Sequence, residues 1–207
     1  MAYVIADSDR TAAEGEWFLN SAATSREDNH FSEAIVDELS LSYCIDEDRL
    51  YAIGYSLGSM FTYEIACQLN HRFAAVASFA GTMPVSPETC DLYGSMAVMH
   101  IHGKLDYIID YDDDWDWKDG EHEGVGTMSN IPGMIDYWAD KSNCQSEDTH
   151  SHLFQGDDTE HIVHSDCAGD VRIEHYGMEA QEHTWPNQVS GTDTYQLIWD
   201  FLSEFTN

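Results

Sequence analysis

Cationic side chains are nearly missing from this chain. Lys and Arg number 8 in 207 residues, against 39 Asp and Glu, for a formal net charge of −31. Such a surface repels phosphate backbones and anionic headgroups, which sets aside nucleic acids and acidic membranes as partners. The acidity reads as a solvated surface adapted to salt or a marine setting, with a cation-binding surface as the alternative. No stretch approaches 18 consecutive apolar residues, so no membrane-spanning helix is expected. Met1 to Asp9 lacks the basic start and long apolar core of a secretory signal. The expectation is either a cytosolic protein or one whose signal was removed. The five cysteines, Cys44, Cys67, Cys90, Cys144 and Cys167, form no C-x-x-C pair, which argues against a zinc knuckle. A Gly-rich phosphate loop and a dinucleotide fingerprint are also missing.

What is present is a core. Hydrophobic residues make up 43% and aromatics 12% of the chain, enough for one globular domain over residues 1–207. Short apolar runs at Ala2–Ala6, Leu50–Ile53, Phe73–Phe79, Met96–Ile101 and Val171–Tyr176 read as buried strands. Between them, Arg26–Tyr43, Ser59–Leu69, Ile131–Lys141 and Thr192–Phe205 read as helices. Phe31, Ile35 and Leu39 are the expected core face of the first, and Asn130 with Pro132 the expected start of the third. The alternation predicts an α/β fold with a mainly parallel sheet flanked by helices. Gln145–Gly169, polar and rich in His and Asp, reads as a surface excursion. Cys67 is spaced like a core residue and reads as a buried free thiol, while the other four cysteines fall in loop-like sequence. Two disulfides among those four would imply an oxidising compartment, with the pairing left open.

The chemistry centres on Gly54-Tyr55-Ser56-Leu57-Gly58, between a strand-like and a helix-like run. A G-x-S-x-G in that context is a nucleophile elbow, a turn that lifts the serine hydroxyl clear of the sheet. Glycines are expected on both sides because larger residues would clash. The N–H of Leu57 then faces the position of an oxyanion. A serine hydroxyl needs a base, usually a histidine oriented by a carboxylate, and in α/β hydrolases the order is Ser, Asp or Glu, His. Asp106 directly follows the strand and turn at Met96–Gly103 and is the expected acid. Asp110 is the alternative, because with Asp112, Asp113 and Asp114 it lies deeper in a run that reads as solvated. His183 lies between the last strand and the last helix and is the expected base, whereas His175 lies inside the strand and reads as structural.

The segment Cys44-Ile45-Asp46-Glu47-Asp48-Arg49-Leu50-Tyr51 running into the elbow resembles secreted polyhydroxybutyrate depolymerases and the related feruloyl and acetylxylan esterases. So do Ala66-Cys67, Phe73 to Ala77, Gly81-Thr82-Met83-Pro84, His100-Ile101-His102-Gly103 with Asp106, Trp138 with Asn143-Cys144, and His183-Thr184-Trp185-Pro186. The resemblance covers most of the chain from about residue 27. It implies an α/β-hydrolase fold, Ser56 as nucleophile, Asp106 as orienting acid, His183 as general base, and Tyr55 and Trp185 bordering the acyl pocket. It also implies disulfides Cys144–Cys167 and Cys44–Cys90, a secreted or periplasmic location, no cofactor, and a short-chain ester or polyester as substrate. Feruloyl or acetyl esters on plant polysaccharide are the alternative substrate. Two departures stand out. The family's second glycine after the elbow is Ser59 here, and a His-Gly loop that supplies a second oxyanion N–H in the family has no counterpart in this sequence. A non-catalytic protein of the same fold is therefore the rival expectation. His150, His152, His161 and His164 with Asp157 and Asp158 read as surface residues rather than a metal site. Asp110–Asp119 lacks the glycine of a calcium loop and reads as a solvated loop.

Overall fold

The computed structural model describes residues 17–19, 25–83, 90, 92, 94–116 and 127–207. The expected strand at Ala2–Ala6 lies outside the described residues. In chain order the elements are α1 (Glu27–Ser42), β1 (Tyr51–Tyr55), α2 (Leu57–Gln68), β2 (Ala75–Phe79), β3 (Ala97–Gly103), β4 (Trp115–Asp116) and β5 (Thr127–Met128). There follow α3 (Ile131–Lys141), β6 (Ser146–Phe154), β7 (Asp157–Ser165), β8 (Ile173–Met178), β9 (Gln188–Val189), β10 (Thr192–Asp193) and α4 (Thr194–Leu202).

The main sheet has the order β1-β2-β3-β8-β7-β6. Its first four strands are parallel, and β7 and β6 add on antiparallel. The apolar runs of β2, β3 and β8 form strands because both of their faces are covered. Along β3, Ala97, Met99 and Ile101 pack with Phe79, Ile198, Phe201 and Leu202, the layer of α4. Val98 faces the other way, into a cluster with Met60, Tyr63, Ile135 and Trp138 from α2 and α3. His100 and His102 share the parity of Val98, are fully buried, and so enter the same layer. Polar side chains open two of the helices. Asn130 Oδ1 accepts from Gly133 N–H at 2.8 Å, and Asp193 Oδ1 accepts from Gln196 N–H at 3.1 Å.

Three expectations are corrected here. Gln145–Gly169 is mostly the β6–β7 hairpin and extends the sheet. Strand β6 is exposed along nearly its whole length, so it has no apolar alternation to announce it, and its backbone pairing with β7 holds it. In α1 the buried residues are Asp28, Asn29, Ser32 and Val36, one position round from the expected Phe31–Ile35–Leu39 face. The segment at residues 17–19 docks there, with Phe18 N–H donating to Asp28 Oδ2 at 2.5 Å. Third, Cys90 bonds to Cys67, so Cys67 is not a free thiol and the expected Cys44–Cys90 bridge does not form. Cys67 and Cys90 are both buried with Cα atoms 4.6 Å apart, whereas Cys44 is a free, exposed thiol after α1. Cys144 bonds to Cys167.

Three of the scarce cations sit between carboxylates. Arg72 meets Asp37 and Glu47, Lys104 meets Glu160 and Glu179, and Arg172 meets Glu174 and Glu204. With 39 acids against 8 cations, most negative charge has no such partner. Screening should therefore stabilise the native state, because ions shorten the range of its self-repulsion to about 3 Å at 1 M salt. Melting temperature is expected to rise from low salt to 2 M NaCl, and a flat or falling trend would contradict this.

Candidate active site

Ser56 stands between the end of β1 and the start of α2. Its backbone is held at φ 53°, ψ −121°, a region an L-residue seldom adopts. Its N–H is anchored to Phe79 O at 2.9 Å. The turn is possible because a Cβ on Gly54 would overlap Gly58 O and Thr62 Oγ1. Gly58 is different: an added Cβ there meets nothing within 4 Å, so the expectation that both glycines are required by space holds for Gly54 alone. The second close approach is at Gly81, where a Cβ would press into Ser59 and the Ser56 carbonyl. Leu57 opens α2, where a helix leaves its N–H without an intrahelical acceptor and the helix dipole favours negative charge.

Asp106 lies in the turn after β3. Its Oδ1 accepts from the N–H groups of Ile108 and Ile109, each at 2.9 Å, which aims Oδ2 across the turn. His183 comes from the loop after β8. Gly103 lets that loop close in, since any Cβ there would overlap Gln181 O and Glu182 O. Backbone bonds from Lys104 N–H to Met178 O at 2.8 Å and from Leu105 N–H to Gln181 O at 3.0 Å tie the two loops together. As a result His183 Nδ1 stands 2.7 Å from Asp106 Oδ2, and His183 Nε2 stands 2.9 Å from Ser56 Oγ. A carboxylate accepts only, so Nδ1 carries the proton and the neutral ring turns Nε2 to the serine as an acceptor. That arrangement can take a hydroxyl proton and hold the resulting imidazolium against an anion.

The carboxylate is kept ionised. Burial alone would raise the Asp106 carboxyl, but its contacts with His102 first, then Ile109 N–H, His183 and Ile108 N–H, hold it below the ordinary value. Asp110 is elsewhere: its Oδ1 caps the N–H groups of Asp112 and Asp113 in an exposed turn. Tyr55 borders His183, and Trp185 packs edge-on to Tyr55. The Tyr55 hydroxyl donates to His183 O at 3.0 Å, and its ring lies 5.4 Å from His183 and 6.1 Å from Trp185. Trp185 also packs on Phe79 at 5.2 Å and Tyr195 at 5.5 Å.

A model of the phospholipase and carboxylesterase family matches residues 13–115. An acetyl xylan esterase from Aspergillus awamori superposes with a TM-score of 0.59 at 14% identity, covering 85% of this chain and 66% of that one. The chain has the α/β-hydrolase fold. The chain is 24% identical over 182 residues to a bifunctional acetylxylan esterase/xylanase of Neocallimastix patriciarum, covering 86% of its own length and 24% of that protein. It is 22% identical over 197 residues to feruloyl esterase B of Piromyces equi, covering 92% and 34% respectively. It thus spans about a quarter to a third of these curated relatives.

Other charged clusters are placed apart from the site. On the hairpin, the rings of His150, His152 and His161 lie 5.9–6.3 Å from one another, and His161 Nε2 contacts Glu174 Oε1 at 2.8 Å. Among the described residues no three His, Cys, Asp or Glu side chains are arranged to hold a metal ion. Asp157 accepts from Ala180 N–H, and Asp158 from Ser151 Oγ.

Beneath the site lies a polar group that composition did not reveal: His100, His102 and His175, all buried. Burial first, then neighbouring His102, pushes His175 down to about 3, and the same two causes, with His175 added, hold His100 well below its usual value. Both rings stay neutral in the native state but titrate near 6.5 when unfolded. The unfolded chain thus binds more protons below about pH 6.5, and each ring removes up to about 1.4 kcal/mol of stability per pH unit. Relief of carboxylate repulsion acts mainly below about pH 5. Denaturant unfolding in high salt should therefore show stability falling from pH 7 to pH 5. A level or rising value would contradict neutral buried histidines.

Proposed function

We propose that this chain is a serine carboxylic-ester hydrolase, a single α/β-hydrolase domain acting through an acyl-enzyme without a cofactor. The observation that carries the reading is the unbroken line from Ser56 Oγ through His183 to Asp106, at 2.9 and 2.7 Å. Ser56 Oγ attacks the ester carbonyl carbon as His183 Nε2 takes its proton. The tetrahedral oxyanion gathers beside Leu57 N–H at the head of α2. Collapse expels the alcohol, which leaves with the proton from His183. Water then attacks the acyl-Ser56 ester, again giving its proton to His183, and collapse releases the acid while His183 returns that proton to Ser56 Oγ. Asp106 keeps the ring oriented and offsets its charge throughout.

The substrate is a short acyl ester carried on a larger molecule. The similarity to an acetylxylan esterase and a feruloyl esterase favours acetyl groups on xylan or feruloyl esters. A polyhydroxybutyrate-like polyester is the second reading, favoured by the exposed apolar side chains of Leu105, Tyr107 and Ile108 flanking Asp106. In either case Tyr55 and Trp185 border the acyl group. Two disulfides suit an oxidising, extracellular setting, and the acidic surface suits salt. The test is hydrolysis of p-nitrophenyl acetate, butyrate and octanoate, methyl ferulate, acetylated xylan and polyhydroxybutyrate in 2 M NaCl. Turnover of the short p-nitrophenyl esters is expected, and the polymers rank the two substrate readings. No hydrolysis of any ester would leave the non-catalytic rival standing.

A further inference from the structure

The Asp106 carboxylate rests on a buried hydrogen-bonded line that begins at the elbow helix. His102 and His100 are two residues apart on β3, on the face turned to α2 and α3, and both are fully buried. His102 Nε2 stands 2.9 Å from Ile109 O and 3.3 Å from Asp106 Oδ2. Both neighbours are acceptors, so this nitrogen carries a proton. It is shared between the carbonyl that closes the Asp106 turn and the carboxylate itself.

Further in, His102 Nδ1 lies 3.1 Å from His100 Nε2. Donation from His100 Nε2 to His102 Nδ1 is the direction that leaves His100 Nδ1 to accept from the Tyr63 hydroxyl. His100 Nδ1 is then an acceptor, and it finds the Tyr63 hydroxyl at 2.8 Å and Ser78 Oγ at 3.2 Å. Ser78 Oγ in turn bonds Ser59 Oγ. Tyr63 and Ser59 both belong to α2, the helix that begins beside Ser56. Tyr111 packs against His102 at 5.9 Å, and its hydroxyl meets His175 Nε2 at 2.9 Å, which closes the group on the β8 side. Each ring nitrogen of His100 and His102 has a partner, and the polarity runs one way, from the elbow helix to the acid. The serine at position 59 thereby gains a role: it is the far end of this line.

We propose that His102 is a positioning residue, tying the Asp106 turn through Ile109 O and Asp106 Oδ2 and coupling it through His100 to the elbow helix, so that acid, base and nucleophile keep one register. It touches neither substrate nor reacting atoms. A buried network of this kind rigidifies only while each member is satisfied. Without the Nε2–H the turn loses one anchor and the carboxylate one neighbour, while Ile108 and Ile109 N–H remain. A misplacement near 1 Å costs about 10²-fold in rate.

The inference rests on the serine-hydrolase reading, and the test keeps the two apart. His102→Gln carries an amide N–H to the Nε2 position, and His102→Asn stops near Nδ1, short of Ile109 O and Asp106. kcat and KM for p-nitrophenyl butyrate are measured for both beside wild type and Ser56→Ala. The downfield ¹H resonance of the His183 Nδ1 proton, which needs no turnover, is recorded for both variants and wild type. For His102→Asn, kcat is expected to fall about 10²-fold with KM within about twofold. For His102→Gln, kcat is expected to return to within about tenfold, and the resonance to move in Asn and return in Gln. If Asn does not fold, His102→Met fills the same volume without a donor and takes its place. The proposal is overturned if kcat and the resonance are unchanged in the donor-less variant, or if Gln loses as much as Asn. Inactive wild type would sink the hydrolase reading alone, since the resonance still decides the role of His102.

Discussion

Ser56→Ala is expected to lower kcat for p-nitrophenyl butyrate by about 10⁵–10⁶, with KM and melting temperature little changed. The size follows from the chemistry. Removing the hydroxyl removes the acyl-enzyme route, and what remains is water acting beside Leu57 N–H and the bound pocket. Ser56 is held by its backbone, at φ 53° with its N–H on Phe79 O, so alanine inherits the same conformation and the turn survives. His183→Ala should lose a comparable factor. The double variant should lose little more than either single one, because the two act as a unit. Steady-state kinetics on the four proteins check this. Losses that multiply in the double variant, or a Ser56→Ala kcat within tenfold of wild type, would contradict a shared mechanism.

Gly103→Ala is expected to cost about 10² or more in kcat/KM and, as an overpacked contact, about 1–3 kcal/mol of stability. Gly103 ends β3 three residues before Asp106, and its Cα faces the backbone of Gln181 and Glu182. An added methyl group overlaps backbone atoms, which cannot turn aside as a flexible side chain can. The loop carrying His183 must retreat, and the 2.7 Å bond from His183 to Asp106 must lengthen or break. Gly58→Ala is the control, since a Cβ there meets nothing within 4 Å. Denaturant unfolding and kinetics on both variants measure the two quantities. Equal behaviour would contradict the close-approach argument.

These glycines illustrate how far local sequence carries. The elbow was legible because strand, turn and helix are neighbours in the chain and Gly54 is required by contacts only a few residues away. The placing of Asp106 and His183 followed from where parallel strands end, since loops at one edge of such a sheet converge. The parallel strands β2, β3 and β8 were legible as apolar runs because both their faces are covered, while β1 buries one face and leaves Ile53 and Tyr55 exposed. The hairpin at Ser146–Ser165 was not, because β6 is held by backbone pairing and leaves its side chains in water. The buried face of α1 was misassigned by one position because Asp28 and Asn29, polar residues, turn inward, Asp28 to meet Phe18 N–H. Cys67 looked like any core residue, and nothing in its spacing distinguishes a thiol from half of a disulfide. His102 carried a signal that was available: two histidines at alternate positions inside an otherwise apolar strand must enter the core on one face, and a buried imidazole needs partners for both nitrogens. Which partners they are depends on α2 and on the Asp106 turn, and these meet only in three dimensions.

The central claim is that Ser56 is a nucleophile activated by His183. Intact-mass spectrometry after treatment with a fluorophosphonate in high salt tests it most directly. Such a reagent forms a phosphonyl ester with an activated serine and releases fluoride, independent of which natural ester the protein cleaves. One adduct per chain on Ser56 is predicted for the wild type, with no adduct in Ser56→Ala and far slower labelling in His183→Ala. A wild-type chain that stays unmodified, or one labelled equally well without Ser56, would contradict the claim.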